Sequence, residues 1–90
     1  ENYISKVYLY QTLIFTNEDG ENRFFTDGHR SRTTITAMNT ILKSLGFRDI
    51  KFKTINSDLW IFVNSKKVRL FEDGLSVRDI YQDSIEILEI

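Results

Sequence analysis

The 90-residue chain contains no cysteine. Disulfides, thiolate metal sites and cysteine nucleophiles are therefore excluded, and the redox compartment is left undetermined. It contains no proline and only four glycines, so the turns rest on Asn, Asp and Ser as much as on Gly. No apolar run approaches the roughly 18 residues needed to cross a bilayer, which argues against a membrane partner. The one histidine, His29, stands beside Arg30 and Arg32 with no carboxylate or second ligand at a defined spacing, so nothing marks it as a general base or metal ligand. Asp73, Asp79 and Asp83 lack the spacing of a calcium loop. Gly28 and Gly74 are single turn glycines, not a phosphate-cradling loop, and no serine lies in a nucleophile motif. The expectation is a protein without catalysis, cofactor or metal. No repeat, low-complexity tract or linker is evident, and residues 1–90 are expected to form one domain.

The segment that is present in clearest form is 33–46, TTITAMNTILKSLG. Ile35, Met38, Ile41, Leu42 and Leu45 recur at the period of a helix, which predicts a helix near 34–45 with one apolar stripe. Thr33 or Thr34 is the expected cap, and Gly46 the residue that ends it. Almost everything else reads as strand, in keeping with an aromatic share of 13%. Residues 3–16 read as one long strand, 22–26 as its return, and 49–55, 59–63 and 68–71 as further strands. Ser76 caps a short helical turn over 76–81, and 84–90 reads as a closing strand with Ile85 and Ile87 inward. The expected core is Leu9, Ile35, Met38, Ile41, Leu42, Leu45, Ile85 and Ile87.

The net charge of −1 hides an asymmetry. Bases dominate from Asn22 to Phe71, and acids from Glu72 onward. Such a dipolar surface steers partners more than it stabilises a fold.

The order hairpin, helix, strands, helical turn, strand is that of a β-grasp fold. The last third, LWIFVNSKKVRLFEDGLSVRDIYQDSIEILEI, resembles the second half of ubiquitin-like domains. Leu59–Val63 match their apolar strand, Glu72-Asp73-Gly74 their EDG turn, and Ser76 to Asp79 the capped helical turn. Small bacterial ubiquitin-like proteins end in a similar pattern. The resemblance implies an α+β domain with one helix packed on a mixed sheet of four to six strands. There is no glycine–glycine tail, so conjugation is not implied.

Ubiquitin-like domains bind partners through an apolar patch on the sheet face opposite the helix. Ile61 and Leu88 are the positions that match it here, with Ile90 also outward by parity and Glu86 and Glu89 forming an acidic strip beside Leu88. The expectation is an adaptor that docks another protein. The same side chains would instead be core if the first strand or a dimer mate covered them. Long strand edges at 3–16 and 49–55 offer homodimerisation by strand pairing. The alternative function is nucleic-acid binding through a basic face made by Arg30, Arg32, Lys51, Lys53, Lys66 and Lys67, with aromatic rings for stacking.

Overall fold

The computed structural model describes the chain from Ile4 to Leu88, with side chains from Ser5 to Ile85. Strands β1 (Ile4–Leu9), β2 (Thr12–Glu18) and β3 (Glu21–Phe24) form an antiparallel meander, followed by helix α1 (Arg32–Ser44). Strands β4 (Ile50–Ile55), β5 (Asp58–Val63) and β6 (Lys66–Leu70) form a second meander. A two-residue strand, β7 (Leu75–Ser76), then leads into helix α2 (Val77–Leu88). The first sheet has the order β1-β2-β3-β7 and the second β4-β5-β6. The chain is thus α+β, as expected. Among the described residues, however, every strand pair is antiparallel, there are two sheets, and there are two helices.

The α1 helix begins two residues earlier than its apolar stripe suggested. Ser31, not Thr33 or Thr34, is the N-cap, and its hydroxyl accepts from the Thr34 N–H. At the other end Gly46 takes φ +91°, which lets its N–H reach the Lys43 carbonyl and the Phe47 N–H reach that of Leu42. This is the paired-bond stop that favours glycine. In α2, Ser76 Oγ accepts from the Asp79 N–H at 3.1 Å, and the Asp79 carboxylate lies 3.5 Å from the Ser76 N–H. That is the expected capping box. The helix then runs on through the segment read as a closing strand. The S-I-E-I alternation imitates a strand, but Val77, Ile80, Tyr81 and Ser84 also repeat at helical spacing, and no glycine or proline interrupts them.

The long first strand is also two strands. Tyr10 adopts φ +57° and turns the chain with Gln11, a turn that carries no glycine, asparagine or aspartate to announce it. Asp19-Gly20, Asn56-Ser57 and Asn64-Ser65 have positive φ at both positions, the geometry of tight hairpins.

The two meanders are versions of one unit. The sequences RFFTDG (23–28) and RLFEDG (69–74) lie 46 residues apart, and each element of the second β-β-β-α unit starts 45 or 46 residues after its counterpart. Backbone bonds recur too. The Phe25 N–H donates to the Ile14 carbonyl as that of Phe71 does to Leu59, and the His29 N–H donates to Thr26 as that of Leu75 does to Glu72. Gly28 and Gly74 share positive φ. The chain therefore does carry an internal structural repeat, marked in the sequence by these six-residue motifs. The repeat is not self-contained: α1 packs against β4 as well as β2, and α2 against β3, β5, β6 and β7. Asp73 of the second unit binds the first directly. Its carboxylate accepts from the Thr26 N–H and Oγ at 3.0 Å each and from the Asp27 N–H at 2.8 Å.

One connected core results. Ile14, Phe15 and Phe24 enter it from the first sheet, Ile50, Phe52, Leu59, Ile61 and Val63 from the second, Met38 and Leu42 from α1, and Val77 and Ile80 from α2. A line of rings joins the sheets: Phe15 to Phe24 at 5.1 Å between centroids, Phe24 to Phe52 at 5.1 Å, and Phe52 to Phe71 at 5.6 Å. Of the expected core, Met38 and Leu42 are fully buried, while Leu9, Ile35 and Ile41 pack at its margin. Leu45 and Ile85 face solvent, because each helix turns only a narrow stripe inward. The Ile87 side chain lies outside the described residues.

Candidate functional site

The alternation along β5 decides which side chains meet solvent. Leu59, Ile61 and Val63 are buried, so Trp60 and Phe62 point the other way and are half-exposed. Ile61 stands opposite Phe52, itself in the core. The outward position expected for Ile61 is thereby overturned: it is fully buried and cannot meet a partner in the folded state. The side chains of Glu86, Leu88, Glu89 and Ile90 lie outside the described residues.

Cross-strand register then dresses the two rings with cations, because directly opposed residues share a face. Lys53 pairs with Trp60, and Lys51 with Phe62, on β4. Lys67 pairs with Phe62, and Leu70 with Trp60, on β6, where Val68 is the extra residue of a bulge. Lys67 Nζ lies 4.4 Å from the Trp60 ring centre, and Lys53 Nζ lies 5.9 Å from that of Phe62. The outer face of the second sheet therefore carries two aromatic rings, each with an ammonium group over it, the exposed aliphatic Leu70 at one corner and the exposed carboxylate of Asp58 at the turn end of β5.

The positive charge continues around β4. One open depression is lined by Arg48, Lys51, Lys53 and Phe62, a second by Lys43, Arg48 and Lys51, and a third by Arg30, Arg32 and Lys53. Residues shared between neighbours make them one continuous basic rim. Among the described residues the ion pairs use Arg69, with Glu72 and Asp83, and Arg78, with Glu21. None of the rim cations is among them. Asp49, the acid that lines one depression, is engaged behind the rim, where its carboxylate accepts the Tyr81 hydroxyl at 2.7 Å. Burial, and then this carboxylate, push the Tyr81 phenol up to about 12, so it stays a neutral donor.

Of the six residues expected to form a basic face, Arg30, Arg32, Lys51, Lys53 and Lys67 are thus brought together, and Lys66 stands exposed at the β5–β6 turn opposite Val63. The sequence reading missed the contributions of Trp60, Phe62, Arg48 and Lys43. The signal was present for the first two, since a buried parity for Ile61 obliges Trp60 and Phe62 to face outward between lysines. His29 is exposed, and no group of metal-ligating side chains occurs among the described residues. No helix among them is long and apolar enough to cross a membrane.

Compared with protein-family models, curated proteins and solved structures, the chain matches none.

Proposed function

We propose that this protein is a non-catalytic binding module that holds single-stranded nucleic acid on the outer face of its second sheet. The observation that carries this reading is the pair of rings, Trp60 and Phe62, flanked by Lys51, Lys53 and Lys67, with Asp58 at the turn end of β5 the one acid on the strands of this face. Every base has a face that stacks on an aromatic ring, for about 1–3 kcal/mol each, while lysines neutralise phosphates. Alternate residues on a strand lie about 6.6–6.8 Å apart, roughly twice the 3.4 Å step between stacked bases. The two rings therefore suit an extended, unstacked strand better than a duplex, whose bases are closed to stacking from the side. In the free protein the lysines rest on the rings. On binding, a base replaces each ammonium group over its ring and the ammonium moves to a phosphate, so little new charge has to be desolvated.

The net charge of −1 is no obstacle, because Asp58 is the one acid on β4, β5 and β6 and Asp49 is engaged by Tyr81, while Glu18, Asp19 and Glu21 lie at the β2–β3 hairpin and Asp73 in the contact between the units. They orient the approach of a polyanion instead of opposing it.

Docking of an acidic protein is the second reading. It is favoured by Leu70, an exposed aliphatic side chain directly across from Trp60, since tryptophan with a neighbouring apolar group is a common anchor of protein interfaces. It keeps the adaptor role implied by the ubiquitin-like resemblance and moves it to different residues. Fluorescence anisotropy with a labelled oligothymidylate separates the two. With about five phosphates contacted, the logarithm of affinity should fall against the logarithm of salt concentration with a slope of about −3 to −4. An oligoglutamate of equal charge should compete weakly. If oligoglutamate competes as well as the oligonucleotide, stacking is not involved and the acidic-protein reading takes over.

A further inference from the structure

The four strand edges of the two sheets are treated differently. In the first sheet the edge strand opposite β1 is β7, which is only two residues long and runs straight into α2. The edge of β4 is met by Asn39 of α1, whose side-chain amide accepts from the Phe52 N–H at 2.8 Å and donates to the Phe52 carbonyl at 2.9 Å, in the manner of a neighbouring strand. The middle of the edge expected at 49–55 for strand pairing is thus engaged by α1 at Phe52. Along β6, α2 packs closely and Asp83 holds Arg69 at 2.7 Å. Among the described residues the remaining strand, β1, has β2 as its one substantial neighbour. Three of the six large apolar side chains exposed among the described residues cluster on it and its turn: Val7, Tyr8 and Tyr10, the last 88% exposed. An open edge of this length with apolar side chains is a template for another strand.

We infer that the outer edge of β1 pairs antiparallel with the same edge of a second copy, about a two-fold axis at Val7. Side-chain alternation allows an axis only at a residue, since opposed residues must share a face. An axis at Lys6 would set the one charge of β1 against itself. An axis at Val7 sets Val7 against Val7, Ser5 against Leu9, and Lys6 against Tyr8 of the second copy, twice. Each ammonium group then meets an aromatic ring, a favourable contact. The Val7 pair lies on the face that β1 shares with buried Phe15, so it extends the core of the first sheet across the axis. Such an interface is self-complementary, and no foreign strand is needed to explain the composition of β1. It joins the two first sheets into one of eight strands and leaves the outer faces of the second sheets free. A single strand pair is small, below the roughly 1,200 Å² of standard interfaces, so the dimer forms at high protein concentration.

The absence of cysteine makes the test direct. Directly opposed residues have Cα atoms about 4.5–5.5 Å apart, within the roughly 4.4–6.8 Å that a disulfide spans. Under mild oxidation Val7→Cys should give a disulfide-linked dimer whose yield rises with concentration, and Tyr10→Cys, more exposed but off the axis, should stay monomeric. A mixture of Lys6→Cys and Tyr8→Cys should cross-link where neither does alone. Equal cross-linking by Val7→Cys and Tyr10→Cys overturns the pairing. So does sedimentation of the unaltered chain as a monomer at the highest concentration reached, a readout that needs no variant.

Discussion

Phe24→Ala should lower stability by about 3–5 kcal/mol, the range for a large buried aromatic truncated to alanine. A domain of this kind holds about 5–15 kcal/mol in total, so the variant retains little margin. At about 4–8 °C per kcal/mol for a chain of this size, melting should fall by roughly 15–30 °C. Phe24 is singled out by position as well as burial. Its ring is fully buried and touches Phe15 of its own sheet and Phe52 of the other, each at 5.1 Å between centroids. Removing it cuts the line of rings that joins the two units and leaves a gap that neither sheet can close without moving against the other. Phe25, the next residue, is only half-buried, and Phe25→Ala should cost distinctly less. Urea unfolding followed by circular dichroism measures both. Equal losses would mean that the two sheets do not depend on a shared aromatic core.

The second large effect is on binding. Replacing Lys51, Lys53 and Lys67 with glutamate should weaken binding of an oligothymidylate by about 100-fold or more at low salt. Each reversal removes an attraction and adds a repulsion, each of about 1 kcal/mol at contact even in water, and about 1.4 kcal/mol is worth a factor of ten. All three lysines are exposed, so the melting temperature should stay nearly unchanged. Reversal of Lys6 on the first sheet should do far less. A triple variant that still binds normally would place the site elsewhere.

Much of the local structure was legible in the residues. The stripe from Ile35 to Leu42 announced α1, the two caps Ser76 and Gly46 behave as their chemistry requires, and the tight hairpin turns at Asp19-Gly20, Asn56-Ser57 and Asn64-Ser65 rest on Asn, Asp and Ser as much as on Gly. The errors have a common physical source. Short apolar runs alternate in ways that suit two periods or two faces, and only tertiary contacts choose between them. SIEIL fits a strand and a helix, and α2 forms because its stripe of Val77, Ile80 and Tyr81 covers β3 and β6. LWIFV has apolar groups at every position, so the face of Ile61 depends on its pairing with Phe52, a residue nine earlier in the chain. That single parity moved the exposed aromatic pair from view and placed the docking site on a core residue. The repeat was hidden because packing demands differ between the units: Leu70 lies on the surface where Phe24, its counterpart in the motif, is the most central ring.

The chain has a single tryptophan, and it is Trp60, at the centre of the proposed face. Its emission therefore reports on this site without background from any other indole. Titration with an unlabelled oligothymidylate at low salt should quench it progressively as a base stacks on the ring. Phe62→Ala should shift the curve to weaker binding, and added salt should reverse the quenching. If anisotropy shows the oligonucleotide bound while Trp60 emission stays unchanged, the bases are not on the rings and the account of the site is wrong.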